Sequence, residues 1–114
     1  MNSAPPPPYI PAAPSLFMDY AGRRYSINVP RFIIGREKGQ CHLVILDPNV
    51  SRQHAAVELL QGAFFIVDLG SRNGVGYSGH RIRRKQIVEG DQFEINGHTI
   101  GFSFRNPCRL SHNP

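Results

Sequence analysis

Three short stretches of this sequence gather side chains suited to holding an anion. They are Gly35-Arg36, Ser51-Arg52-Gln53-His54 and Asp68-Leu69-Gly70-Ser71-Arg72-Asn73-Gly74. Together they offer three arginines, two hydroxyls and two carboxamides. A phosphomonoester carries about −1.5 to −2 charges near pH 7 and presents three acceptor oxygens. The planar guanidinium of arginine can bind two of those oxygens at once. Serine hydroxyls and backbone N–H groups can complete the cage. An asparagine, both donor and acceptor, can hold a peptide backbone beside it.

Other constellations carry less. Ser51 and His54 lie three apart, with Asp47 and Asp68 nearby in sequence, and so mimic a nucleophile–base–orienter set. Catalysis would also need an oxyanion hole and a cleft, which a sandwich of this size rarely supplies, so no enzyme activity is expected. Gly74-Val75-Gly76-Tyr77-Ser78-Gly79 fits G-x-G-x-x-G. A dinucleotide site needs a helix after the third glycine, and the sequence leaves no room for one. The five histidines show no helical zinc spacing, and there is no C-x-x-C. Neither metal nor cofactor is expected. Arg81, Arg83, Arg84 and Lys85 form a basic run that reads first as a solvated strand edge and second as a nucleic-acid or acidic-peptide contact. Only Tyr77 is near enough to stack on a base, so nucleic acid is the minor reading.

The anion-binding groups must be positioned by strands. Between its two ends the chain shows apolar runs of strand length separated by turn signals, the pattern of a sandwich or barrel. The expected strands are Leu16 to Tyr20, Arg24 to Val29, Arg31 to Gly35, His42 to Leu46, Ala55 to Leu60 and Ala63 to Leu69. Val75 to Tyr77, Arg81 to Ile82, Gln92 to Ile95 and His98 to Phe104 follow. Ala21-Gly22, Gln61-Gly62 and Asn96-Gly97 mark hairpin turns. Each candidate group then falls on a loop after a strand or between two, where a sheet can hold it in place.

Gly35-Arg36, Ser51-Arg52-Gln53-His54 and Asn73-Gly74 in this order make residues 16–105 resemble the forkhead-associated (FHA) domain family, in its bacterial form. The resemblance implies an all-β fold, a two-sheet FHA/SMAD-like sandwich of about eleven strands. It also implies phosphothreonine recognition by loops at one end. Arg36 and Ser51 match positions that contact the phosphate, and Asn73 matches the one that contacts peptide backbone. Arg52 and Arg72 occupy variable positions beside the phosphate. Gly35, His54, Ser71 and Gly74 are expected to shape the site. Val75 departs from the threonine usual after N-G.

Thirteen Lys and Arg against eight Asp and Glu give a net charge of +5, which favours acidic partners. No apolar run approaches the roughly 18–20 residues of a membrane span, so no membrane insertion is expected. Cys41 and Cys108 form no disulfide framework, and a cytoplasmic setting is expected. Residues 1–15, with six prolines, read as an extended tail or linker, and residues 106–114 as a second tail. Thr99 is the sole threonine. A phosphothreonine ligand is therefore expected in trans, or from a region outside this chain. The rival function is a scaffold that binds protein regardless of phosphorylation.

Overall fold

In the strand His98–Ser103, Ile100 and Phe102 are buried while Gly101 and Ser103 lie partly open. The same period of two recurs along the chain, because alternate strand residues face opposite sides. A computed structural model of the chain describes residues 15–106. The tails expected at 1–15 and 106–114 lie outside this range, apart from Ser15 and Asn106.

Eleven strands form, with no helix among the described residues. They are β1 (Leu16–Tyr20), β2 (Arg23–Ile27), β3 (Arg31–Gly35), β4 (Leu43–Val44), β5 (Ala55–Leu60) and β6 (Ala63–Asp68). β7 (Val75–Tyr77), β8 (His80–Ile82), β9 (Arg84–Gln86), β10 (Gln92–Ile95) and β11 (His98–Ser103) complete them. One sheet runs β2-β1-β11-β10-β7-β8 and the other β4-β3-β5-β6-β9. Pairing is antiparallel except between β3 and β4, where Gly35 lies opposite Val44.

The inner faces of the two sheets make the core. Leu16, Met18, Phe93, Ile95, Ile100 and Phe102 from one meet Phe32, Ile34, Val57, Phe64 and Ile66 from the other. At Gln61-Gly62 (φ 52° and 81°) and Asn96-Gly97 (48° and 82°) both central residues have positive φ. That geometry carries the right-handed strand twist through a two-residue hairpin.

Three elements differ from the pattern in the sequence. β2 stops at Ile27, short of Val29, because Pro30 has no amide to extend a ladder. The apolar run at 42–46 yields only Leu43–Val44, and Leu46 turns outward, 71% exposed. β9 has no apolar residue, so periodicity gave no sign of it; it is an edge strand whose ladder to β6 supplies its order.

The register defines two poles. Gly35, Ala55, Asp68 and the Asn96-Gly97 turn lie towards one of them. Leu16, paired with Ile27, and Ser103, paired with Phe17, lie towards the other.

Candidate functional site

At the first pole the end of β3 is stitched to the loop that precedes β5. The Arg36 amide donates to the Ser51 carbonyl at 3.0 Å and the Glu37 amide to the Arg52 carbonyl at 3.2 Å. The His54 amide donates to the Ile34 carbonyl at 2.8 Å. Such close stitching leaves no room for a side chain on Gly35. A Cβ there would collide with the Arg52 carbonyl and stand 2.9 Å from Cys41 Sγ.

His54 joins this loop to the one between β6 and β7. Its ring is fully buried. Nδ1 accepts from the Ser51 amide at 3.0 Å, which places the proton on Nε2, and Nε2 donates to the Gly74 carbonyl at 2.7 Å. Ser71 Oγ accepts from the Gly74 amide at 2.8 Å, and Asp68 Oδ1 from the Ser71 amide at 3.1 Å. The two loops also meet at the surface. The Arg72 amide donates to Ser51 Oγ at 3.1 Å, and Asn73 Nδ2 to the Asn49 carbonyl at 2.7 Å.

The result is a depression of about 400 Å³ lined by Arg36, Asn49, Ser51, Arg52, Gln53 and Arg72 among others. Arg36 is fixed by Nε donating to the Val50 carbonyl at 2.9 Å, and its two Nη groups make no hydrogen bond among the described residues. The Arg52 and Arg72 guanidinium groups make none either. No acidic side chain lines the depression. Three arginines thus line it, their guanidinium groups in no ion pair, while the Ser51 hydroxyl accepts from the Arg72 amide and keeps its proton to donate. Four of the five contact candidates read from the sequence, Arg36, Ser51, Arg52 and Arg72, line this depression, while Asn73 borders a neighbouring one and is tied to the rim by its bond to the Asn49 carbonyl. The four shaping candidates form the frame behind it.

A family model for the FHA domain matches residues 32–96, more than half of the chain. The chain belongs to the FHA domain family. This FHA domain is 32% identical over 83 residues to the oxoglutarate dehydrogenase inhibitor of Corynebacterium efficiens, covering 72% of this chain and 57% of that protein. It is 30% identical over 82 residues to the glycogen accumulation regulator GarA of Mycolicibacterium smegmatis, covering 72% of this chain and 51% of GarA. The chain therefore spans little more than half the length of these two relatives. Among solved structures, Mycobacterium tuberculosis EmbR in complex with a low-affinity phosphopeptide matches with a TM-score of 0.74 at 29% identity. That match covers 79% of this chain and 24% of EmbR.

Sequence pattern gave no signal for one further part of the FHA site. Asp47, in the loop before Ser51, accepts the Asn49 amide on Oδ1 at 2.9 Å. On Oδ2 it accepts His98 Nε2 at 2.8 Å and Asn96 Nδ2 at 3.1 Å. His98 Nδ1 in turn lies 3.0 Å from the Tyr20 hydroxyl. The partners are 49 and 51 residues away, and only the packing of one sheet on the other unites them. The Asn49 amide, His98 and Asn96 hold the Asp47 carboxyl below its ordinary 3.8. The stability contributed by charged Asp47 is thus present above pH 3.8 and is lost as pH falls through the lowered folded-state value. A carboxyl-carbon NMR titration should place the Asp47 midpoint below 3.8, with the Asn49 amide shift following it. A midpoint at or above that value would contradict the arrangement.

The competing constellations resolve differently. Both ring nitrogens of His54 are taken by backbone groups, Asp47 serves His98, and Asp68 serves the Ser71 amide, so the apparent triad is not assembled. Gly74–Gly79 closes a loop, crosses β7 and enters a hairpin turn, with no helix N-terminus following. Among the described residues no group of three His, Cys, Asp or Glu could hold a metal, and no helix is long and apolar enough to cross a membrane. The basic run lies on two sheet edges, β8 in one sheet and β9 in the other, as the edge reading expected. It is not a uniform cationic strip. Lys85 Nζ bonds Asp91 Oδ2 at 2.7 Å and lies over the Tyr77 ring, while the Arg84 guanidinium stacks 4.0 Å from the Phe65 ring centroid.

Proposed function

We propose that residues 16–105 form a non-catalytic FHA module that binds phosphothreonine segments of partner proteins in the cytoplasm. The observation that carries this reading is the depression with three uncompensated guanidinium groups and an available Ser51 hydroxyl. In this reading Arg36, Ser51, Arg52 and Arg72 receive the phosphate. Asn73, already bonded to the Asn49 carbonyl, offers its remaining amide atoms to the peptide backbone. The phosphopeptide bound to the related EmbR supports the ligand class. The relatives' names, an inhibitor and a regulator, support a role in controlling other proteins.

Thr99 is held in β11 opposite Glu94, within the ladder, so it does not serve as a ligand for its own domain. The ligand then comes from another chain or from a region outside this one. A phosphorylation-independent scaffold would favour a contiguous apolar patch. Three large apolar side chains are exposed among the described residues, and Leu46 stands at the pole opposite Leu60 and Val88, so the three do not form one patch.

Charge-assisted hydrogen bonds contribute on the order of 1.5–3 kcal/mol each, and three or four of them, less the ordering cost, suit micromolar affinity. Calorimetric titration of one threonine peptide, with and without its phosphate, tests the proposal. The phosphorylated form should bind at least roughly a hundredfold more tightly, and its affinity should fall below about pH 6 as the phosphate takes up its second proton. Equal affinities for the two forms would refute it.

A further inference from the structure

Arg81 is the member of the basic run that reaches the candidate site. From β8 its Nη2 donates to the Ser71 carbonyl at 3.1 Å, across ten residues of sequence. Its side chain also lies against Gly74. A Cβ built on that glycine would collide with Arg81 Nε and stand 2.8 Å from both Cδ and Cζ. Gly74 has a φ of +80°. It is therefore gripped on both sides: His54 takes its carbonyl from the core, and Arg81 covers it from outside. Between Ser71 and Gly74 stand Arg72 and Asn73, the residues that turn towards Ser51 and Asn49.

We infer that Arg81 is a positioning residue for phosphopeptide binding, clamping the 71–74 loop in the conformation that aims Arg72 and Asn73. This inference rests on the function proposed above. The clamp needs the shape of arginine as well as its charge. A flat guanidinium can cover a bare glycine backbone and still direct an N–H to the Ser71 carbonyl. A lysine ammonium is a point donor on a flexible stem and cannot do both. The neighbouring Arg83 supplies the control: it is exposed, and its side chain makes no hydrogen bond or ion pair among the described residues.

The test compares wild type, Arg81→Ala, Arg81→Lys and Arg83→Ala. Two measurements are made on each, amide hydrogen exchange in the free protein and affinity for a peptide selected from a degenerate phosphothreonine library. Both Arg81 variants should speed exchange at the Arg72 and Gly74 amides by about tenfold while leaving the Val57 and Ile66 amides unchanged. Both should weaken the phosphopeptide by roughly fivefold to tenfold, with Arg83→Ala close to wild type. Wild-type affinity in Arg81→Lys would overturn the clamp in favour of a charge effect. Weaker binding with unchanged loop exchange would overturn it in favour of direct contact with the peptide. Faster exchange with unchanged affinity would show that the loop's order does not serve binding, and would also overturn it. If the wild type selects no phosphopeptide, the proposed function fails, and with it the binding role of Arg81. The exchange data would still show whether Arg81 orders the loop.

Discussion

Arg36→Ala is expected to lower phosphothreonine-peptide affinity by about a hundredfold or more, an effect of at least roughly 2.7 kcal/mol. The Arg36 guanidinium is already oriented, because Nε is spent on the Val50 carbonyl. Its two Nη groups can therefore meet two phosphate oxygens without first ordering the side chain. Two charge-assisted bonds at roughly 1.5–3 kcal/mol each are removed together, and water replaces part of them. Arg36→Lys retains the charge but not the fork, and should lose about tenfold. Both variants should stay folded. The internal bond forfeited is a single one to a backbone carbonyl, worth about 1 kcal/mol, and should shift Tm by only a few degrees. Calorimetry beside a melting curve separates the two effects. Arg36→Ala with affinity within about threefold of wild type would show that the phosphate is not held here.

The largest effect on stability is expected from His54→Ala. The ring is fully buried and bridges the two loops beyond the end of the β5–β6 ladder, whose last bond runs from the Leu69 amide to the His54 carbonyl. Its removal leaves the Ser51 amide and the Gly74 carbonyl without partners in the interior, at about 1–3 kcal/mol each, and opens a void as well. A total of roughly 3–5 kcal/mol is a large share of the stability of any small domain. Tm should fall by more than about 12 °C. His54→Gln, which can both donate and accept, should recover part of the loss. Thermal denaturation followed by circular dichroism measures both, and a drop of under about 3 °C in the alanine variant would mean that the loops are held by something else.

The nine site residues read from the sequence all fall on the two loops or on the end of β3, because loop position follows directly from strand punctuation. Strand identity was legible wherever one face was apolar, as in Ile100 and Phe102 of β11. It was not legible in β9, whose Arg-Lys-Gln is ordered by a neighbouring strand and not by burial. The bracing of the site was also invisible. Asp47 with His98, and Arg81 with Ser71, are contacts created by the stacking of the sheets and the path of β8. A local pattern carries no record of either. For His54, a bracing role was expected from resemblance; which nitrogen meets which backbone group was readable only from the packed loops.

The pairing of β1 with β11 brings Phe17 beside Ser103 at the pole away from the depression. Entry and exit of the polypeptide thus share one doorway, and the guanidinium-lined rim faces the other way. Anything joined at the borders of the described residues starts from the pole opposite that rim. The described fold therefore begins and ends on the side turned away from that rim, and its sheets need no rethreading to be carried within a longer chain.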